Sequence, residues 1–294
     1  MKRRNFLWYA CLFIAGCSAT TRSTTEAGPE KLRFAVTDVI DPEKVQRDYG
    51  SFQTALATVL EREVELFPMG DMLAAASALK FNQLDLALAG PSEYVVIQAK
   101  TKAIPLIAIT RPNYRSLMVA AADSGISSVA DLKGKVLALS DVGSTSGHLG
   151  PTKLLVDAGL NPKSDLEIRM LGDEGSMAAL RSGEVDAWGG AAHDYETFLR
   201  EDESAAKSFP LIAAGPPLPS DIFVANSQLL PALVDELRSR MVDQQAQLIQ
   251  ALATGESTRK YKNSKLVTAN DADYDMIRDV YKAIGEGSLI QGET

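Results

Sequence analysis

The run Gly143-Ser144-Thr145-Ser146-Gly147-His148 places three consecutive hydroxyls between two glycines and beside a histidine. Two chemistries use such a set. A serine hydrolase carries its nucleophile in G-x-S-x-G on a strand-to-helix turn and takes its base from elsewhere in the fold. Here the middle position of that pattern is Thr145, and His148 follows Ser146 on the same turn instead of approaching from another loop. The second chemistry is anion binding. A strand over 135–140, a turn through Asp141-Val142-Gly143 and a helix from Ser146 would aim free backbone N–H groups and the positive end of a helix dipole at one spot. Ser144, Thr145 and Ser146 add donors suited to a tetrahedral oxyanion, and Gly143 and Gly147 let the backbone come close to a ligand. The same residues also read as an ordinary helix N-cap, since Ser and Thr are common caps. The segment alone leaves both readings open.

Other chemistries are poorly supplied. His148 and His193 are the only histidines, and neither H-E-x-x-H nor C-x-x-C occurs, so no metal site is expected. There is no G-x-x-x-x-G-K-[ST] and no G-x-G-x-x-G after a predicted strand, so no nucleotide cofactor is expected either. The formal charge of −8 gives a nucleic-acid partner no basic face.

The elements that must position the serine-threonine turn alternate between strand and helix. Apolar runs at 33–37, 64–67, 84–89, 104–110 and 117–122 read as strands, with helices predicted over 49–61, 72–81 and 93–99 between them. The pattern then restarts with a helical turn at 128–132, strands at 135–140, 167–171 and 185–188, and helices at 146–158, 175–181 and from Tyr195 onward. Strand-like runs at 209–214 and 222–225 flank Gly215-Pro-Pro-Leu-Pro219, and helices over 231–252 and 274–284 close the chain. This is an α/β pattern with largely parallel sheets. Two self-contained sets of βα units imply two lobes, and a chain that returns to end in helices implies that they are discontinuous. We place one lobe at 31–118 with 224–294 and the other at 119–223.

The first 30 residues carry a different signal. Lys2, Arg3 and Arg4 precede a short apolar run, residues 6–15, with the length of a signal-peptide core and too short to span a bilayer. Ile14-Ala15-Gly16-Cys17 follows and resembles a bacterial lipobox, which predicts cleavage after residue 16 and a diacylated Cys17. An A-x-A-like cut that discards Cys17 is the alternative. Cleavage after residue 16 also removes Cys11, so no thiol would remain free, and losing Lys2, Arg3 and Arg4 moves the formal charge from −8 to −11. Residues 18–30, rich in Ser, Thr, Gly and Pro, read as a flexible tether.

Beyond the turn itself, a family likeness runs along the chain. Asp141-Val-Gly-Ser-Thr-Ser-Gly-His148, preceded by Val129-Ala-Asp-Leu-Lys-Gly-Lys-Val136, resembles the D-P-x-S-T-S-G and L-x-D-L-K-G-K signatures of the phosphonate/phosphite-binding proteins of ABC importers. The likeness continues through Asn113-Tyr114-Arg115-Ser116, Phe81-Asn-Gln-Leu-Asp85, Gly183-Glu-Val-Asp-Ala187 and Pro217-Leu-Pro-Ser-Asp221. It implies the type II periplasmic-binding-protein fold, with a mixed sheet flanked by helices in each lobe and two crossing strands as hinge. It also implies a monomer that captures an oxyanion and delivers it to an inner-membrane permease, without catalysis or cofactor. A periplasmic sensor of a two-component system with the same fold is the rival reading, and a serine hydrolase a weaker one.

Carried over position by position, the resemblance implies that Ser144, Thr145 and Ser146 bind the ligand's oxygens. It implies that Tyr114 approaches from the opposing lobe, and that Asp221 accepts a hydrogen bond from the ligand or orders the pocket. Two positions depart from the aminophosphonate binders. Met72 replaces a tyrosine, and Asp173, with Glu174 beside it, replaces a histidine. The second change removes a possible cation, so anion binding would rest on hydroxyls, amides and the helix dipole. It favours ligands that still carry a proton, phosphite or a phosphonate monoanion, over sulfate. Asp173 and Glu174 also read as dipole-stabilised acids in a first helical turn. Trp188 would either wall the pocket against a small P–H or P–CH₃ group or pack in a core.

Overall fold

The computed structural model describes residues 28–71, 74–201 and 204–292. The predicted signal peptide with Cys11, the predicted acylation site Cys17, most of the predicted tether, and Met72 lie outside the described residues.

The first half of lobe 1 runs β1 (Lys31–Val36), α1 (Pro42–Leu60), β2 (Glu63–Leu66), α2 (Ala74–Lys80), β3 (Leu86–Ala89), α3 (Pro91–Thr101) and β4 (Ile104–Ile109). Lobe 2 contains β5 (Ser116–Ala120), β6 (Val136–Leu139), α4 (Gly150–Asp157), β7 (Glu167–Met170), α5 (Gly172–Ser182), β8 (Ala187–Ala191), α6 (Ala192–Glu201), α7 (Ala205–Ser208) and β9 (Leu211–Ala214). The chain then returns to lobe 1 through β10 (Asp221–Ala225), α8 (Pro231–Asp243), α9 (Gln245–Leu252), β11 (Leu266–Val267) and α10 (Asp275–Ala283). The sheet orders are β11-β4-β10-β3-β1-β2 and β7-β6-β8-β5-β9. In the first, β1 runs parallel to β2 and β3, whereas β10 is antiparallel to both β3 and β4. In the second, β6 is parallel to β7 and β8, and β5 is antiparallel to β8 and β9. Each lobe is therefore a mixed sheet flanked by helices.

The expected breaks at 118/119 and 223/224 fall inside β5 and β10, which pair wholly with lobe 2 and lobe 1 respectively. The crossings are residues 110–115 and 215–220, irregular segments and not strands.

Lobe 1 has a core on each face of its sheet. Phe34, Phe52 and Phe223 meet at centroid separations of 5.8 to 6.3 Å on the α1, α8 and α9 side. Burying each ring is worth about 1.5–3 kcal/mol. Tyr94, Tyr274 and Ile277 anchor the other face under α3 and α10. Leu149 of lobe 2 is buried in that second cluster, so the lobes share apolar contact.

Three elements differ from the sequence reading for local reasons. Helix α1 starts at Pro42 instead of residue 49, because the Asp41 side chain accepts from Glu43 and Lys44 N–H and Pro42 occupies the first turn, where no amide is needed. The expected single helix over 231–252 divides at Gln244 (φ −109°, ψ 24°), and α9 then turns Leu248 and Leu252 into the α1 core. Gly189 and Gly190, beyond the strand read over 185–188, lie inside β8 (Ala187–Ala191). The Trp188 ring folds beneath it so closely that a Cβ at 190 would stand 1.9 Å from the indole.

Candidate anion-binding site

A cleft of about 1850 Å³ lies between the lobes, with the first crossing segment and the start of β10 contributing Arg111, Tyr114 and Asp221. Ser144, Thr145 and Ser146 line it from lobe 2, together with Asp173 and Glu174 in the first turn of α5. Asp38 and Glu93 line it from lobe 1.

The serine-threonine turn is wider than an α-helical start. Residues Thr145–Leu149 form one π-helical turn before α4, and both His148 and Leu149 N–H donate to the Ser144 carbonyl at 3.1 and 2.9 Å. Ser144 Oγ accepts from Gly147 N–H at 3.2 Å and so acts as the cap. The amides of Thr145 and Ser146 precede any carbonyl partner within the turn and are available to an anion. Gly147 packs against Ser140 and not the cleft: a Cβ there would sit 2.4 Å from the Ser140 Cβ. His148 Nδ1 accepts from Gly143 N–H at 3.1 Å and braces the turn, and burial holds its pKa below the usual imidazole value. The histidine is thus committed to the backbone of its own turn and gives Ser146 no base.

Thr145 reaches across to the other lobe. Its Oγ1 accepts from Ser92 N–H at 3.0 Å and donates to Ser92 Oγ at 2.7 Å, and both residues are buried. Ser92 Oγ in turn donates to Glu93 Oε2 at 2.7 Å. Ser146, by contrast, lies against the Tyr114 hydroxyl. Burial raises the Tyr114 pKa to about 12, which keeps the phenol neutral and able to donate.

The cation that the sequence reading did not supply is Arg111. Its side chain is 7% exposed, and its guanidinium lies over the Tyr114 ring, 3.5 Å from the centroid. The polar contacts are long: Nη1 is 3.4 Å from both oxygens of Asp221, and Nη2 is 3.4 Å from His193 Nδ1. Burial works against this charge, and Asp221 with the neighbouring phenols and Asp38 outweighs it, so the group stays charged throughout. Asp221 accepts a much shorter bond, 2.7 Å, from the Tyr261 hydroxyl. Its place is to hold Arg111 in the cleft. Nearby, Lys260 pairs with Asp38, which also accepts from Tyr49 Oη at 2.8 Å. The sequence reading counted neutral donors alone, and the cleft is lined by cations as well, Arg111 and the partly buried Lys260.

The acids are more numerous than the cations. Asp173 accepts from Ser140 Oγ. Burial and the Asp173 charge raise Asp141 above the usual carboxyl value. Burial pushes Asp194 up to about 7, with Asp173 adding to the shift, and Asp194 lies 3.1 Å from His193 Nε2. Burial and the charges of Arg111 and Lys260 keep His193 neutral. Among the described residues no group of three or more His, Cys, Asp or Glu is arranged to hold a metal ion.

The structure thus brings Ser144, Thr145, Ser146, Tyr114, Asp221, Asp173 and Glu174 to one cleft. Trp188 stands apart. It is 1% exposed in the lobe 2 core, its indole N–H donates to Ser176 Oγ at 3.0 Å, and its ring stacks on Tyr195.

Two α/β lobes joined by two crossings, with a capped turn, a buried guanidinium and the Tyr114 phenol facing a shared cleft, define a two-lobed solute-binding protein. The chain belongs to the family of periplasmic substrate-binding proteins of phosphonate ABC transporters, whose pattern matches residues 34–274. It is 26% identical to the phosphate-import protein PhnD of Mycolicibacterium smegmatis, over 93% of each chain. Its fold is similar to that of PhnD1 from Prochlorococcus marinus in complex with methylphosphonate, with a TM-score of 0.73 and 19% identity, covering 87% of this chain and 99% of that one. A binding-protein component of an ABC phosphonate transporter from Pseudomonas aeruginosa aligns with a TM-score of 0.69 and 18% identity over 86% of each. The protein serves transport by an ABC importer and is not an enzyme.

Proposed function

We propose that this chain captures a phosphorus oxyanion between its lobes and hands it to the permease, with phosphite preferred, a small alkylphosphonate second and phosphate third. Ser144, Ser146 and the amides of Thr145 and Ser146 take the oxygens from lobe 2, and Arg111 and Tyr114 take them from the crossing segment. The observation that carries this reading is Arg111, a buried guanidinium in the cleft whose three polar contacts, to Asp221 and His193, are all as long as 3.4 Å. Such a group gains from a closer anion. Asp173, Glu174 and Asp221 favour an oxyanion that retains a proton, which sulfate does not bring. Val39 and Met177, which also line the cleft, suit a P–H or short P–C face better than a fourth oxygen. Cys17 carries the lipid that tethers the protein, a monomer, to the membrane.

A calorimetric titration of the purified protein against phosphite, methylphosphonate, 2-aminoethylphosphonate, phosphate, sulfate and hypophosphite tests the reading. Heat from a phosphorus oxyanion and none from sulfate is expected. No heat from any phosphorus oxyanion would sink it. Metabolic labelling with palmitate, lost in Cys17→Ser, tests the anchor.

A further inference from the structure

The inner cleft holds more carboxyls than it has cations to balance. Arg111 and Lys260 are paired with Asp221 and Asp38, and this leaves Glu93, Asp141, Asp173 and Asp194 without an ion-paired Lys or Arg among the described residues. Of these, Glu93 is the most enclosed, 2% exposed. It lies in the first turn of α3, beside the cleft, and its carboxyl is two hydrogen bonds from the serine-threonine turn through Ser92 and Thr145. None of the groups facing it is a cation. Asp38 ahead of α1 and Asp221 on β10 are carboxylates, Tyr114 on the crossing segment and Tyr281 on α10 are neutral phenols, and Ser92 and Thr145 are hydroxyls. An oxyanion brought to Ser144 and Ser146 adds one more negative charge to this set.

We infer that Glu93 matches the pocket to the protonation state of its ligand by sharing a single proton with the bound phosphorus oxyanion. The inference rests on the oxyanion reading above. A ligand arriving with a P–OH group donates that proton to the Glu93 carboxylate. A fully ionised ligand instead meets Glu93 as a neutral acid, which donates to it, so binding takes one proton from solvent. A carboxylic acid kept neutral in order to donate is an established use of a buried acid. Burial, helped by Asp221 and Asp38, raises Glu93 to about 7 against the stabilising bonds from Ser92 and its own amide, so the proton is available near neutrality. Sulfate brings no proton, so it can bind only with one drawn from solvent and loses affinity as pH rises and Glu93 ionises. Phosphite and phosphonates bring their own.

The test is titration of the purified wild type and Glu93→Gln with methylphosphonate at about pH 8, in two buffers of different ionisation heat, which counts the protons taken up. The expected result is that wild type takes up close to one proton more than Glu93→Gln. Glu93→Gln should also lose the tenfold fall in affinity per pH unit that proton uptake imposes above neutrality. Equal uptake in the two forms would overturn the inference while leaving the oxyanion reading intact. If Glu93→Gln does not bind, the wild-type infrared difference spectrum at the same pH decides: a protonated-carboxyl band appearing with ligand supports the inference, and its absence refutes it. A ligand set bound only when it carries an ammonium group would instead assign the acids to that cation. Failure of every phosphorus oxyanion to bind wild type would remove the oxyanion reading, and this inference with it.

Discussion

Replacing Arg111 with methionine removes one of the cleft's cations, the one stacked on Tyr114, while keeping much of that stacking. Two effects follow from the geometry and they separate cleanly. The ligand loses charge-assisted hydrogen bonds worth about 1.5–3 kcal/mol each. Two such bonds are worth at least about 3 kcal/mol, roughly a hundredfold in affinity. The free protein also suffers, because Asp221 is 2% exposed and would keep only Tyr261 as a partner. Orphaning a buried charge costs about 3–5 kcal/mol, which at this chain length lowers Tm by about 5–9 °C. Arg111→Met with Asp221→Asn removes the orphaned charge, so the melting temperature should recover while the hundredfold loss remains. Calorimetry of the best ligand and thermal melts of both variants measure the two effects. A single variant that binds within about threefold of wild type would refute the assignment of Arg111 to the ligand.

Three further outcomes are expected. Ser144→Ala should weaken the best ligand at least about tenfold, and unchanged affinity by calorimetry would remove the serine-threonine turn from the site. Thr145→Val breaks the paired bonds to Ser92 and should raise the ligand's dissociation rate about tenfold with a smaller change in association rate, since it loosens the closed state; stopped-flow traces showing an effect only on association would contradict this. Glu93, with a normal value of 4.5 and a folded value of about 7, contributes stability that is full below 4.5 and is lost as pH rises through about 7. Glu93→Gln should therefore gain on wild type in ligand-free melts as pH rises, by up to about 3 kcal/mol, and a pH-independent gap would count against a buried, proton-bearing Glu93.

What the sequence disclosed was whatever is written locally. The turn at 143–148 announces itself through three hydroxyls between glycines, and the alternating runs declare two α/β lobes, although they suggest largely parallel sheets where β10 and β5 in fact pair antiparallel. Arg111 was missed although a visible signal exists: a lone basic residue follows the apolar β4 and precedes Pro112, at the point where the chain leaves one lobe for the other. Its partner Asp221 is 110 positions away, and Lys260 is 222 positions from Asp38. No periodicity encodes such pairings, because they exist only once two crossings have brought distant segments to one cleft. Trp188 was ambiguous for a different reason. Its neighbouring glycines look like a turn in sequence, and only the fold shows that they make room for the indole inside a strand.

Both described ends of the chain belong to the same lobe: β1 lies in the first sheet beside edge strand β2, and the segment after α10 packs on α3. Lobe 2 is topologically an insertion, entered and left through the two crossings. A pair of fluorophores fused at the two ends would ride on one rigid body and stay silent as the cleft opens and shuts. A biosensor built from this chain must carry one reporter within the insertion, and an N-terminal surface tether would leave that insertion as the free-swinging part.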